Sequence, residues 1–385
     1  MNRHLTTCVI TLGVCLAFAT PGRAQVELRD HAGIVGTSVR QVSEIGVRID
    51  AGGHDQLIGW DRVKRVRGDR APDAAAFAQT SDHAWRARTR IERGDFAAAE
   101  PLLEALFPVY QNLTGPTASF VSEGLVSCRL ARGAQTAAIV PWLACISADA
   151  GELRRDQWVG MQATVSSHVL DREYALCPSL PPVWVSGAAL ESLVQSPSWT
   201  TLTKAPGVPG QMARLYHQAA RLHAEIETQP IDREFLQADS LGARLVLDML
   251  VSWHGTPADR IAARNELIAR LPAAASKGSR PTPRWVEAWV RFAVGRSMLR
   301  EEDDHTRLLG VIQLLHVPVR FAQEQPYLAG MALGDCIAAL TELRDTDGAG
   351  TLKHELATKL PRHPVLEWDR VRSVERKLPA QQQEE

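Results

Sequence analysis

The chain has 385 residues, a formal charge of −1, and a composition that is 45% hydrophobic and 23% charged. Such a balance is that of an ordinary globular protein, and near-neutrality leaves no footprint for a nucleic-acid partner. The length exceeds one typical domain, so two or three folded units are expected at about 150 residues each.

Asn2, Arg3 and His4 precede an apolar run from Cys8 to Ala19, followed by Pro21, Gly22, Arg23 and Ala24. This pattern reads as a secretory signal peptide over residues 1–24. The apolar run is shorter than the ~20 residues of a spanning helix and no later segment reaches that length. An exported chain, periplasmic or extracellular, is therefore expected, with no transmembrane segment once the signal is removed. Cleavage is expected after Ala24, with Ala19 as the alternative. A lipoprotein reading through Leu12-Gly13-Val14-Cys15 meets a bulky Val14 where a small residue belongs. Removal of Arg3 and Arg23 with the signal takes the charge from −1 to −3.

Residues 25–68 carry short β-rich runs at Val26 and Leu28, Ile34 to Val39, Ile45 to Ile49, Leu57 and Ile58, and Val63 and Val66, punctuated by glycines. A small all-β module of about five strands is expected, with Gly52-Gly53 at a hairpin turn. The strings G-I-V-G-T-S-V, G-V-R-I-D and I-G-W-D-R-V resemble a small SH3-like barrel or a meander, which implies a loop-presenting module that binds peptides or polymers or caps another domain. Residues 69–82, rich in Ala, Pro and Asp, read as a linker.

Residues 83–170 then read as helical hairpins. Ala84, Ala87 and Ile91 share one helix face, Arg86, Arg90 and Arg93 lie opposite, Gly94 ends the run and Asp95 caps a second helix whose stripe is Phe96, Ala99, Leu103 and Leu106. Pro101 is expected to kink or interrupt that helix. A second hairpin turns at Gly133, 39 residues after Gly94. Thr114-Gly115-Pro116-Thr117 supplies the break between them.

Residues 171–208 hold Pro178, Pro181, Pro182, Pro197 and Pro206 with Trp184 and Trp199. They read as a strap packed on the helices, with a binding loop as the other option. The region 209–378 returns to helical periodicity. Gly255 stops one helix, Thr256 caps the next and Pro257 opens it. A further linker spans 272–282. Pro283 opens a helix bearing Trp285, Trp289 and Phe292, with Leu308 to Leu315 as its partner. The last pair is Pro326 to Leu343 and Thr351 to Leu360, and 379–385 is expected to be a disordered tail.

The order of Gly94, Asp95, Phe96 and Ala99, and the ending A-G-T-L-K-H-E-L-A-T-K-L-P-R-H-P with Ala349 and Pro361, resemble tetratricopeptide repeats. The 39-residue spacing exceeds the usual ~34, so the array is irregular. Mainly α, an irregular tetratricopeptide-like solenoid behind a small β module, is the expected fold. The resemblance implies protein binding on a concave surface of first helices, including Arg86, Arg90 and Arg93.

No catalytic, cofactor or metal signature stands out. Asp345-Thr346-Asp347-Gly348 resembles the middle of an EF-hand loop, but Leu343 and His354 occupy ligand positions; a capping turn is the simpler reading. Glu301 to Asp304 read as acids at a helix start. His354-Glu355 lacks the second histidine of a zincin, and P-loop, G-x-G-x-x-G and G-x-S-x-G strings are absent. Arg62, Lys64, Arg65, Arg67 and Arg70, continued by Arg86, Arg88, Arg90 and Arg93, form the one dense charge run. It suits an acidic partner or envelope polymer, or a solvated strand edge. Cys128, Cys145, Cys177 and Cys336 remain after signal removal and permit two disulfides. Cys128 with Cys145 is the first expectation, three pairings being possible and free buried thiols the other outcome. The leading functional expectation is a non-enzymatic protein-interaction scaffold. The rivals are a hydrolase or polysaccharide-acting enzyme on a helical scaffold, and an envelope-polymer-binding β module with a helical spacer.

Overall fold

A computed structural model describes residues 24–29, 34–35, 38–151, 154–159, 169–226, 231, 239–271 and 282–374. The signal-peptide reading of residues 1–23, nearly all of the linker at 272–282, and the tail at 379–385 lie outside them.

The protein is mainly helical, with a small β module followed by packed helical hairpins. The module contains β1 (Gln25–Leu28), β2 (Ile34–Val35), β3 (Ser38–Ser43), β4 (Gly46–Ala51), β5 (His54–Ile58) and β6 (Val63–Arg67). They form two antiparallel three-stranded sheets, ordered β2-β1-β6 and β3-β4-β5. Gly52 and Gly53 make the β4–β5 turn at φ of 68° and 89°, the left-handed region a two-residue hairpin demands. Alternating Val47 and Ile49 point inward with Val26, Ile58, Trp60, Val63 and Val66 as one apolar cluster.

The stretch 69–82, expected as a linker, is structured instead. A 3-10 turn at Gly68–Arg70 leads into α1 (Ala71–Ala75), and α2 (Ala78–Glu92) starts soon after. Its alanines favour helix and its Pro72 sits in the first turn, where no backbone donor is lost. Phe77 stacks on Trp60 with ring centroids 4.8 Å apart, which pins the segment to the β module.

α3 (Phe96–Tyr110) follows Gly94, at φ +75°, and the Asp95 carboxylate accepts from the Ala98 amide. Pro101 does not interrupt this helix, and neither does Pro108, although each removes one backbone donor from it. α4 (Pro116–Ala131) and α5 (Gln135–Ala148) form the next hairpin. After the segment from 171 come the short α6 (Ala188–Val194) and α7 (Trp199–Leu202), then α8 (Gly207–His223). α9 (Leu241–His254) and α10 (Pro257–Ala269) meet at the Gly255-Thr256-Pro257 signal, and the Thr256 hydroxyl accepts from the Asp259 amide. The final pairs are α11 (Arg284–Leu299) with α12 (Asp304–Phe321) and α13 (Pro326–Glu342) with α14 (Thr346–Lys359), closed by a 3-10 turn and α15 (Asp369–Arg372). Asp303 caps α12 and Asp345 caps α14, so both acidic stretches serve helix starts.

The helical part holds two apolar clusters. One joins α2, α3 and α4. The larger runs from α5 to α15 and includes Leu180, Val183, Trp184 and Trp199, so the Pro-rich connection is a strap whose tryptophans lie in the core. The Trp199 indole N–H donates to the Leu193 carbonyl at 2.6 Å, and the Trp289 indole N–H reaches the Pro178 carbonyl at 3.1 Å. Each satisfies a buried donor, the first within the strap and the second tying the strap to α11. No described helix is long and apolar enough to cross a membrane.

Candidate functional site

The basic run is split by the fold. Lys64 and Arg65 stand on β6 at the wall of a groove of about 310 Å³, whose other wall is α1 and the start of α2. Arg29, from the end of β1, joins them. Its Nε donates to the Val63 carbonyl at 3.2 Å, and its guanidinium lies 5.6 Å from the Trp85 ring and 3.9 Å from Asp82. The floor is made of Trp60, Val63 and Val66, and the helical wall of Ala71, Ala74, Ala75 and Ala78. The small side chains of that wall are what leave the space open. β6 is an outer strand of its sheet among the described strands, so its backbone borders the groove.

Around this groove the charges are partly compensated. Glu27 on β1 receives Lys64 at 2.6 Å and Arg67 at 2.8 Å, and those two hydrogen bonds hold its carboxyl below the usual carboxylate range. Arg65 is exposed. Arg62 is half-buried, and its carbonyl accepts from the Arg29 amide at 2.9 Å. The α2 arginines are elsewhere: Arg86 pairs with Asp82 at 3.6 Å, Arg90 with Asp95 at 3.2 Å, and Arg93 sits exposed at the helix end. Of the nine basic residues of that run, the groove collects Lys64 and Arg65.

Arg88, expected with the rest of the run on a solvated helix face or facing a partner, is buried instead. It shares the buried face with Ala84 and Ile91, and its guanidinium forks onto Asp61, with Nε to Oδ2 at 2.8 Å. It also covers the Phe120 ring at 4.7 Å. An arginine one turn from both Ala84 and Ile91 on an apolar stripe is a readable signal that a buried acid must meet it. Nearby, the Thr117 hydroxyl donates to the Ile45 carbonyl and accepts from the Trp60 amide, both at 3.0 Å. These bonds fasten the β module to the start of α4.

A second polar knot closes the α4–α5 hairpin. Buried Glu123 accepts from Arg155 and Arg172, each at 3.1 Å, and from the Ser119 hydroxyl at 3.2 Å. Asp149 meets the same two arginines at 3.1 and 3.2 Å. Two acids matched by two guanidinium groups leave the knot without net formal charge.

The third polar centre lies in the large core. Arg296 on α11 pairs with buried Asp335 on α13 at 3.0 Å, and its guanidinium stands 4.1 Å from the Trp253 ring centroid. Its Nη1 lies 3.1 Å from His223 Nε2, while His223 Nδ1 faces the Ala219 carbonyl at 2.9 Å. Arginine can only donate, so His223 accepts at Nε2 and donates from Nδ1. Burial, reinforced by Arg296, lowers the His223 pKa to about 3. His254 is lowered to about 2 by burial and by His223, Arg296 and Arg300. Both imidazoles are neutral at ordinary pH. The adjoining cavity, about 10 Å³, has room for about one water.

Cys128 and Cys145, the expected disulfide partners, are free thiols, as are Cys177 and Cys336. Cys128 belongs to the α2–α4 cluster and Cys145 to the large one, and burial pushes the Cys128 thiol up to about 12. Among the described residues no three His, Cys, Asp or Glu side chains converge as a metal site. No protein-family description matches this chain, and no curated protein or solved structure is similar to it.

Proposed function

We propose that the protein is an exported, non-enzymatic interaction scaffold, an irregular tetratricopeptide-like array carrying an SH3-like module, and that the groove between β6 and α1–α2 receives an extended acidic segment of a partner protein. The observation that carries this reading is the meeting of Arg29, Lys64 and Arg65 over an apolar floor in one open groove of about 310 Å³. Cations at the rim steer and orient an acidic chain, and the exposed Ala75 and Ala78 of the helical wall offer it apolar contact. An outer strand beside a helix also suits an extended occupant, because it presents backbone groups along one wall.

The test is a photo-crosslinking amino acid at Ala75, which is exposed in the groove, with the same probe at exposed Val109 on α3 as control. Protein adducts are expected from Ala75 in cells exporting the chain, and the doubly charge-reversed variant Lys64→Glu with Arg65→Glu should abolish them. Absence of protein adducts, adducts that survive charge reversal, or labelling of polysaccharide alone would each overturn the reading.

A further inference from the structure

α12 carries a second, unrelated surface. Leu308, Ile312 and Val319 are exposed at 45%, 54% and 79%, and Leu315, half-buried, lies between the last two. The intervals are four, three and four, which is the seam of a heptad rather than a scatter of surface apolar groups. Leu309, at 39%, widens the strip, and no Asp, Glu, Lys or Arg interrupts the seam. The opposite face, with Gly310, Val311, Leu314 and Val317, is already spent on α11 and α13. A helix that is apolar on both faces needs a second partner on the outer one.

We propose that this outer seam is covered by the same seam of a second copy of the chain, the two α12 helices running antiparallel across a two-fold axis. Three features select that occupant. A heptad seam is complementary to another heptad seam, and two-fold symmetry makes one patch its own partner. With the axis passing between Ile312 and Leu315, Leu308 of one copy meets Val319 of the other and Ile312 meets Leu315, so each layer joins a γ-branched to a β-branched side chain. Charge then chooses the direction. The N-terminal end of α12 bears exposed Glu302, Asp303 and Asp304, with Arg307 paired to Asp304, and the Arg320 at its C-terminal end is already paired with Glu287, so antiparallel pairing separates the acidic ends and opposes the helix dipoles, whereas parallel pairing stacks the acids. The inference is independent of the groove at β6, whose apolar side belongs to the cluster of the β module.

Sedimentation equilibrium of the full exported chain tests it. A concentration-dependent monomer–dimer equilibrium is expected, and Ile312→Lys should weaken it at least tenfold while leaving the circular dichroism and melting temperature at the parent values. Direction is read by cysteine pairs. Leu308→Cys mixed with Val319→Cys should give a crosslinked heterodimer on oxidation, whereas Val319→Cys alone should not. A monomer at all concentrations, a dimer indifferent to Ile312→Lys, or efficient self-crosslinking of Val319→Cys would overturn the proposal. Should Ile312→Lys itself unfold the chain, Val319→Glu, at the most exposed seam position, provides the same readout.

Discussion

Arg88 on α2 and Asp61 beside β6 form a buried ion pair, their side chains 5% and 1% exposed, and this pair is the polar pin between the β module and the helical hairpins. Neither charge has water to fall back on. Arg88→Leu should lower stability by about 3–5 kcal/mol, because it leaves Asp61 buried and uncompensated, and Asp61→Leu should cost less, because Glu92 stands 3.7 Å from the Arg88 guanidinium. The double variant Arg88→Leu with Asp61→Leu should regain most of the loss. Urea denaturation of the four proteins measures the coupling; equal losses in the single and double variants would sink the idea of a paired lock.

Acid should weaken the fold well above the carboxylate range. His223, His254 and His363 have native pKa values lowered to about 3, about 2 and about 4, chiefly by burial, from the ordinary 6.5. Below pH 6.5 the unfolded chain takes up protons that the native chain refuses, so stability is level above 6.5 and declines as pH falls. The slope is about 1.4 kcal/mol per pH unit for each histidine fully in its window. Denaturant midpoints at pH 7.5, 6.0 and 5.0 should fall in that order, and His254→Phe should flatten the decline. Identical midpoints across that range would contradict the burial of neutral imidazoles.

Gly295 on α11 and Gly310 on α12 face each other. A β-carbon built on either glycine would come within 2.9 Å of the other's carbonyl oxygen. The two backbones approach that closely only because both positions lack side chains. Gly310→Ala should therefore cost about 1–3 kcal/mol through overpacking. Thermal unfolding checks this, and a melting temperature equal to the parent's would show that the helices separate without penalty.

The groove should be separable from the fold. Arg65 is exposed and the Lys64–Glu27 pair is a surface contact, so Arg65→Glu and Lys64→Ala should each change stability by no more than about 0.5–1 kcal/mol. Denaturation curves matching the parent, together with lost crosslinking at Ala75, make the loss one of recognition. A large destabilisation would instead assign these residues to the architecture.

By itself the sequence determined the punctuation and the class. Gly94 with Asp95, Thr256 with Pro257, and Gly52 with Gly53 each act through their own backbone and nearest amides, so helix ends, caps and the β4–β5 turn are written locally. The apolar periods then made the chain a β module followed by hairpins. What only the tertiary structure decided depends on which surfaces meet. Residues 69–82 have the composition of a linker, yet Trp60 gives Phe77 a stacking partner and the segment becomes helix. Within one basic run, Arg86 and Arg90 pair locally with Asp82 and Asp95, whereas Arg88 is locked on Asp61 and Lys64 and Arg65 line a groove, because the partners of these last come from residues distant in sequence. Cys128 and Cys145 lie on one hairpin in sequence but in two different apolar clusters in space. The same holds for α12: its inner face was legible as a hairpin partner, while the exposure of Leu308, Ile312 and Val319 follows from the positions of α11 and α13, which leave that side of the helix uncovered.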